Sequence, residues 1–343
     1  MSGFSPDFQP VALGSLPHTD PREACDLVRR YLPQIPTWPQ LPRRAFLENM
    51  YVQFSEGFPG LVLEEERIYV DRGRDLDPDL ERLYVAYLEN DLEACAVSPQ
   101  YAAGLFEFLA TRFDAPQAVK GQVTGPISWG LTVVDQDRRP VLYDEVLADA
   151  VAKHLRLKAA WQEQRLRRLH PTTILFVDEP YLSAFGSAYV ALNRDQVITL
   201  LEEVLAGITG LKGVHCCGNT DWSVLLSTSV DILSLDAYQY AEALSLYPEE
   251  VRAFLKRGGI IAWGIVPAQD EEALMGETVE SLVAKLEEAM ALLVRKGIPL
   301  DDLLAAALVS PSCGLRTLSV PAAERALELT AAVSETMRER YGT

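Results

Sequence analysis

The chain has 343 residues, of which 48% are hydrophobic and 8% aromatic, so it is long and apolar enough to bury a large core. Its 49 acidic and 31 basic residues give a net charge of -18 without any basic run, which argues against a nucleic-acid partner and an anionic-membrane partner. Five cysteines in a chain without an export signal or a long apolar stretch predict a cytoplasmic protein with reduced thiols.

Apolar, β-prone runs alternate along the chain with long amphipathic segments, which is typical of parallel strands joined by helices. The predicted strands are 10–15, 118–125, 173–179, 211–217, 231–237, 259–265 and 306–312, with one more expected between 50 and 100. The predicted outer helices are 144–169, 193–208, 270–296 and 321–340.

The segment 52–71 interrupts this alternation, because Gly57, Pro59 and Gly60 separate two β-prone runs. It is predicted to be a hairpin or a covering loop. No linker, repeat or low-complexity tract divides the chain. We therefore predict that residues 1–343 form a single catalytic domain of the α/β class, a (β/α)8 TIM barrel.

Short motifs follow six of the predicted strands. Along the chain they read GSLPHT, TGP, DEP, HCCGN, DAY and SPSCGL. Barrels of this kind place the active site at the C-terminal ends of their strands. The six motifs are therefore expected to lie together on one face.

Three of these motifs predict one metal site, with His215, Cys217, Asp236 and Cys313 as its candidate ligands. One imidazole, two thiolates and a further oxygen form the tetrahedral set that zinc prefers, and three protein ligands leave a catalytic position open. Cys216 is expected to point to the other side of its strand, because side chains alternate with a period of two.

The motifs resemble the C-terminal catalytic barrel of cobalamin-independent methionine synthase and its relatives, the methylcobamide-dependent thiol methyltransferases and uroporphyrinogen decarboxylases. In the synthases the first strand ends in Gly-Ser-Phe-Pro-Gln-Thr, which LGSLPHT matches at four positions. The matching residues are Gly14, Ser15, Pro17 and Thr19 in that string, Thr124, Gly125 and Pro126, then Asp178, Glu179 and Pro180, and finally His215, Cys217 and Cys313.

The resemblance implies a role for each site residue. Zinc is expected on His215, Cys217 and Cys313, while the shorter Asp236 stands where the family has a glutamate ligand. Of the two adjacent carboxylates, Asp178 corresponds to the family's contact with the amino group of homocysteine. The complete set of expected substrate-binding residues is Gly14, Ser15, Asp178 and Glu179, with Asp178 also expected to be catalytic.

Two departures from the synthases bear on the methyl donor. The synthases have two barrels and about twice this length, and the extra barrel helps to hold their folate donor. They also carry a histidine after the seventh strand that is thought to act as an acid, whereas IIAWGIVPAQDE contains none. Both departures favour a methyl-corrinoid donor, carried in some relatives on a separate corrinoid protein, because cob(I)alamin leaves as an anion.

The sequence thus predicts a zinc-dependent S-methyltransferase that moves a methyl group from a methyl-corrinoid to a small-molecule thiol such as homocysteine, as in methionine synthesis. Three alternatives stay open: a methylcobamide:coenzyme M-type methyltransferase, a uroporphyrinogen decarboxylase-like enzyme, and a corrinoid-binding zinc protein without turnover. Coenzyme M carries no ammonium for the acidic pair to bind. The decarboxylases use an Arg-rich N-terminal loop, and residues 1–20 contain no arginine.

Overall fold

A computed structural model of the protein describes residues 4–188 and 190–342. The strands are β1 (Leu61–Glu64), β2 (Arg67–Val70), β3 (Val119–Thr124), β4 (Val134–Asp135), β5 (Thr173–Asp178), β6 (Leu211–Cys216), β7 (Ile232–Leu235), β8 (Ile260–Val266) and β9 (Ala307–Pro311). The helices are α1 (Pro21–Tyr31), α2 (Met50–Gln53), α3 (Asp77–Glu89), α4 (Ala103–Ala110), α5 (Pro126–Thr132), α6 (Glu145–Leu166), α7 (Arg194–Leu205), α8 (Trp222–Leu226), α9 (Ala237–Leu244), α10 (Pro248–Lys256), α11 (Glu271–Gly276), α12 (Val279–Val294), α13 (Leu300–Ala305) and α14 (Val320–Tyr341).

Six strands form a curled parallel sheet in the order β3-β5-β6-β7-β8-β9. Six of the predicted strands and the α/β class are confirmed, with strand ends that differ from the prediction by no more than two residues. The register aligns Thr124 with Asp178 and Asp178 with His215. The polar ends of neighbouring strands therefore meet at one edge of the sheet.

Two extended segments, 9–16 and 36–40, lie against the outer strands of this sheet. The predicted strand 10–15 forms only isolated bridges, as does the second segment. The backbone hydrogen bonds are Val11 N to Val309 O (2.9 Å), Gln40 N to Gly14 O (3.0 Å), Leu16 N to Gln40 O (2.9 Å) and Lys120 N to Pro36 O (2.9 Å).

The additional barrel strand expected between residues 50 and 100 does not join the six-stranded sheet. Instead, β1 and β2 pair as an antiparallel hairpin, and β4 adds to β2 in a separate three-stranded sheet. The segment that lies along β3 is 36–40, in which Pro36 and Pro39 lack the N–H groups that a continuous ladder needs. The sequence pattern therefore did not predict that the segment 36–40 would lie along β3 as a strand does.

The two faces of the parallel sheet bury different cores. Val177 and Leu175 of β5 belong to the larger core, which the surrounding helices cover. Ile174 and Phe176 alternate with them and belong to a smaller apolar core on the concave face. Gly213 makes room for this packing, since a Cβ there would lie 2.0 Å from the Phe176 ring. Apolar side chains thus fill the concave face below the strand ends.

The helices pack outside the sheet, as the amphipathic pattern predicts. One predicted helix, 270–296, is two helices, α11 and α12. The break lies at Thr278, which accepts a hydrogen bond from the N–H of Ser281 and so caps α12. Within the described ranges, no helix combines the length and hydrophobicity that a membrane crossing requires.

Candidate metal centre and active site

Three predicted ligands meet at the C-terminal edge of the sheet. His215 lies near the end of β6, Cys217 directly follows that strand, and Cys313 follows β9. The ligand atoms of these three residues all lie within 4.8 Å of one another. The ends of β6 and β9, which are separated in the sheet by β7 and β8, therefore supply one compact set of ligand atoms.

The imidazole of His215 is oriented by a neighbouring serine. Its Nδ1 lies 3.0 Å from Ser234 Oγ on β7, and the side chain is buried. Its Nε2 is also buried but has no hydrogen-bond partner. A buried nitrogen without a partner is costly, and a bound metal would satisfy it. The Nε2 atom thus fits a metal ligand.

Cys217 and Cys313 are partly exposed residues whose sulfur atoms lie within 4.8 Å of each other. The neighbouring Cys313 thiol lowers the pKa of Cys217, whereas the neighbouring Cys217 thiol and burial raise that of Cys313. Two such sulfurs with one imidazole nitrogen match the donor set of a catalytic zinc site. The residues present therefore fit zinc on their chemistry.

Cys216 lies on the opposite side of β6. It is fully buried, and its thiol donates to the carbonyl of Gly218 at 3.5 Å. Burial raises the pKa of Cys216 to about 12, so this thiol stays protonated. One strand end thus presents one sulfur to the metal cluster and another to the core.

The structure does not bring Asp236 into the cluster of three ligands. Its carboxylate caps α9, because Oδ1 accepts a hydrogen bond from Gln239 N at 2.9 Å. Burial raises the pKa of Asp236 to about 6, and the second oxygen, Oδ2, has no partner. The position that the resemblance gives to a fourth ligand is a helix cap here.

Asp178 and Glu179 are adjacent but serve different surroundings. Asp178 lines the pocket beside the cluster, and its Oδ1 is buried without a hydrogen-bond partner. Burial raises its pKa to about 6, although the charges of Lys120 and His215 act in the opposite direction. Asp178 is therefore free to bind a donor group of a ligand.

Glu179 faces away from that pocket into α5. Both of its oxygens are occupied, since Ile127 N donates to Oε1 (2.9 Å) and Ser128 donates to Oε2 from N (2.7 Å) and Oγ (2.6 Å). The side chain is fully buried. The expected substrate contact of Glu179 is replaced by a structural one, in which the carboxylate stabilises the N-terminus of a helix.

Gly14 and Ser15 lie in the first extended segment, and Ser15 shares the lining of the pocket with Asp178. Gly14 has a φ of +132°, and a Cβ there would lie 2.5 Å from the side chain of Gln122, so only glycine fits. Ser15 lines the pocket, and its carbonyl accepts a hydrogen bond from Leu315 N at 2.8 Å. This contact ties the first motif to the turn that follows Cys313.

Lys120 is a buried cation below the site that the sequence analysis did not single out. Its Nζ donates to Leu13 O at 3.0 Å and to Gln122 Oε1 at 3.3 Å. Burial lowers its pKa to about 7, while Asp178 acts to raise it. The sequence signal was available, because a lysine and a glutamine alternate within an otherwise apolar strand.

Glu48 and Arg316 also line the pocket and were missed. Glu48 is fully buried; its Oε1 accepts from Arg44 at 2.7 Å, and its Oε2 has no partner. Burial raises its pKa. Arg316 lies three residues after Cys313, so its place near the cluster could have been predicted from the sequence. Glu48 lies in a segment without any motif, and nothing in the sequence indicated its role. The pocket therefore contains two carboxylates with free oxygens, Asp178 and Glu48.

Comparison with known protein families and with curated proteins finds no match. Among solved structures, a methyltransferase from Methanosarcina mazei is similar over 97% of this chain and 94% of its own, with 13% identity and a TM-score of 0.54. A B12-independent methionine synthase from Shewanella sp. W3-18-1, in complex with selenomethionine, matches 65% of this chain with 18% identity and a TM-score of 0.46. The chain covers 63% of that synthase, less than two thirds of its length. The likeness to the Methanosarcina protein shows a shared fold.

Proposed function

We propose that the protein is a zinc-dependent S-methyltransferase that moves a methyl group from a methyl-corrinoid to a thiol acceptor such as homocysteine. The observation that carries this proposal is the cluster of His215, Cys217 and Cys313 in the wall of a pocket. The shared fold with a methyltransferase supports the reaction class.

The same proposal includes a closed (β/α)8 barrel. The segments 9–16 and 36–40 bond to each other and to the two edge strands, β9 and β3. Together with the six strands of the parallel sheet, these two segments would make the eight strands of a closed barrel. The metal cluster then lies at the C-terminal mouth, where barrels of this kind carry their active sites.

Zinc bound by the cluster would supply a Lewis acid that lowers the pKa of the acceptor thiol, which is near 8.5 for a free thiol, so that the sulfur reacts as a thiolate. The thiolates of Cys217 and Cys313 would offset the charge of the dication and leave the acceptor sulfur electron-rich. The imidazole of His215 would complete the set and leave one position for the acceptor.

Polar groups of the pocket hold the rest of the acceptor in this proposal. Asp178 would accept hydrogen bonds from its ammonium, and Glu48, whose charge Arg44 offsets, would provide its second oxygen as a further acceptor. Ser15 would bind its carboxylate. Two carboxylates favour an amino-acid thiol over coenzyme M, which has a sulfonate and no ammonium.

Methyl transfer then requires alignment more than acid catalysis. An acceptor sulfur held beside His215, Cys217 and Cys313 would attack the donor's methyl carbon, so that the new S–C bond would form as the Co–C bond broke. The electron pair of the broken bond would stay with the departing corrinoid, and the acceptor proton would go to solvent. No protonated leaving group is needed, in keeping with the absence of histidine from residues 259–270.

The decisive experiment mixes the zinc-loaded protein with methylcobalamin and either homocysteine, coenzyme M or no thiol, and records the cobalamin absorption spectrum. We expect demethylation with homocysteine, much slower demethylation with coenzyme M, and none without a thiol. No spectral change with any thiol would rule out the proposed transfer. Zinc binding without demethylation would instead favour a corrinoid-binding protein without turnover.

Ser234 gives a prediction about the support of the metal ligand. Replacing it in Ser234→Ala removes the group that orients His215 through Nδ1. Loss of such an outer contact costs about 10- to 100-fold in metal affinity, and we expect that decrease in a chelator competition with zinc. Ser245→Ala is the matched control, because it also loses a hydroxyl bond, to Glu242 O, away from the cluster. Equal zinc affinity in both variants would contradict the role of Ser234.

A further inference from the structure

A second pocket adjoins the metal-cluster pocket. It is lined by Pro42, Arg43, Asn49, Arg316 and Thr317. Three of these residues, Pro42, Asn49 and Arg316, also line the metal-cluster pocket. The two cavities are therefore adjacent, and Arg43 and Arg316 both line the second one.

These two guanidinium groups are available to a ligand. Arg316 is exposed and makes no hydrogen bond or ion pair with any residue in the ranges 4–188 and 190–342. Arg43 is held in place by a hydrogen bond from Nη2 to Thr317 O at 3.0 Å. Arg43 interacts electrostatically with the carboxylate of Glu271, but that carboxylate already accepts hydrogen bonds from the backbone and side chain of Ser319. By contrast, Arg44 is occupied by Glu48.

The charge of the whole chain makes this arrangement informative. The chain has 49 acidic and 31 basic residues, and many basic side chains form ion pairs, among them Arg72, Arg156 and Arg167. Two arginines that converge on one pocket without a bridging carboxylate are suited to an anion, because planar guanidinium groups bind phosphate and carboxylate through paired hydrogen bonds.

Access to the cluster indicates which reactant meets these arginines. The smaller apolar core, with Ile174, Phe176 and Leu308 among its members, fills the concave face below the cluster. A reactant must therefore approach from the side of the strand ends, where Arg43 and Arg316 line the adjoining pocket. The acceptor carboxylate has a nearer partner in Ser15, on the inner wall next to Gly314.

We propose that Arg43 and Arg316 form an anion-binding subsite for an acidic group, phosphate or carboxylate, of the methyl donor. This inference rests on the proposed function for the identity of the reactant, but the binding of an anion does not. For a corrinoid donor the anion is the phosphodiester of its nucleotide, which methylcobalamin carries and methylcobinamide lacks.

Calorimetric titration with inorganic phosphate at low ionic strength tests the subsite without any turnover. We expect the wild-type protein to bind phosphate and the Arg43→Gln/Arg316→Gln variant to bind it at least about tenfold more weakly, since each charged hydrogen bond accounts for roughly that factor. Arg29→Gln, an exposed arginine paired with Asp26 on α1, is the control and should bind as the wild type does. Absence of phosphate binding, or equal binding by the double variant, would overturn the subsite.

Donor kinetics test the assignment of the anion. In the double variant we expect the KM for methylcobalamin to rise at least about tenfold, with unchanged values for methylcobinamide and homocysteine. A rise confined to homocysteine would assign the arginines to the acceptor and overturn the donor assignment. A wild-type protein that transfers no methyl group would refute the proposed function and the donor assignment together, while the phosphate titration would still decide whether the anion site exists.

Discussion

The single variants His215→Ala and Cys313→Ala are each expected to bind zinc too weakly to retain one ion per chain. Each substitution removes one of three donors whose ligand atoms lie within 4.8 Å of one another. Loss of a residue that only orients a ligand lowers metal affinity by up to about 100-fold. The decrease in zinc affinity should be larger here, because each variant loses a direct bond to the metal. Metal content after gel filtration, measured by atomic emission, gives the answer, and demethylation of methylcobalamin should fall with it.

Cys216→Ala is the matched control for these two variants. Cys216 is a neighbouring thiol on the same strand end, yet it is fully buried on the other face. Its replacement should leave zinc content unchanged and cost on the order of 1 kcal/mol of stability through lost packing. Retention of stoichiometric zinc in both the His215 and the Cys313 variant would refute the ligand set.

Asp178→Asn is expected to raise the KM for homocysteine about 10- to 100-fold, because a hydrogen bond between charged groups contributes roughly 1.5–3 kcal/mol. The carboxylate lines the pocket with an unpartnered Oδ1, so the substitution changes binding more than folding. With 4-mercaptobutyrate, which has the thiol and carboxylate of homocysteine but no ammonium, the variant and the wild type should have similar KM values.

Glu179→Gln provides the contrast to the Asp178 variant. Because Glu179 accepts three hydrogen bonds from the first turn of α5, its replacement should lower the free energy of unfolding by about 1–3 kcal/mol and leave the KM for homocysteine nearly unchanged. Urea denaturation and steady-state kinetics separate the two effects. A homocysteine-specific KM increase in this variant would show that Glu179, and not Asp178, contacts the ammonium.

The sequence was sufficient to predict the six parallel strands because each is a short apolar run followed by a polar turn. It was insufficient for the segment 36–40, where prolines remove backbone donors and the β pattern with them. The prediction of one continuous helix over 270–296 was wrong for a similar local reason. Thr278 and Ser281 form a capping box inside an apolar periodicity that otherwise continues across the break.

For the site, spacing along the strands was the useful signal. His215 and Cys217 share one side of a strand because they are two residues apart, and Cys313 reaches them because parallel strands end at a common edge. The sequence could not show that the carboxylate of Glu179 would turn into α5, or that Asp236 would cap α9. Adjacent or equivalent carboxylates differ only in the local backbone that surrounds them.

The apolar filling of the concave face has a consequence for the order of events in the proposed methyl transfer. With Phe176 and its neighbours closing the inner side, acceptor and donor would both approach from the side of the strand ends. A small thiol held at the metal cluster would then enter first, and a bulky corrinoid placed over it would block its exit. The methylated product could depart only after the spent corrinoid had left, so the kinetics would be those of a compulsory-order, last-in, first-out mechanism.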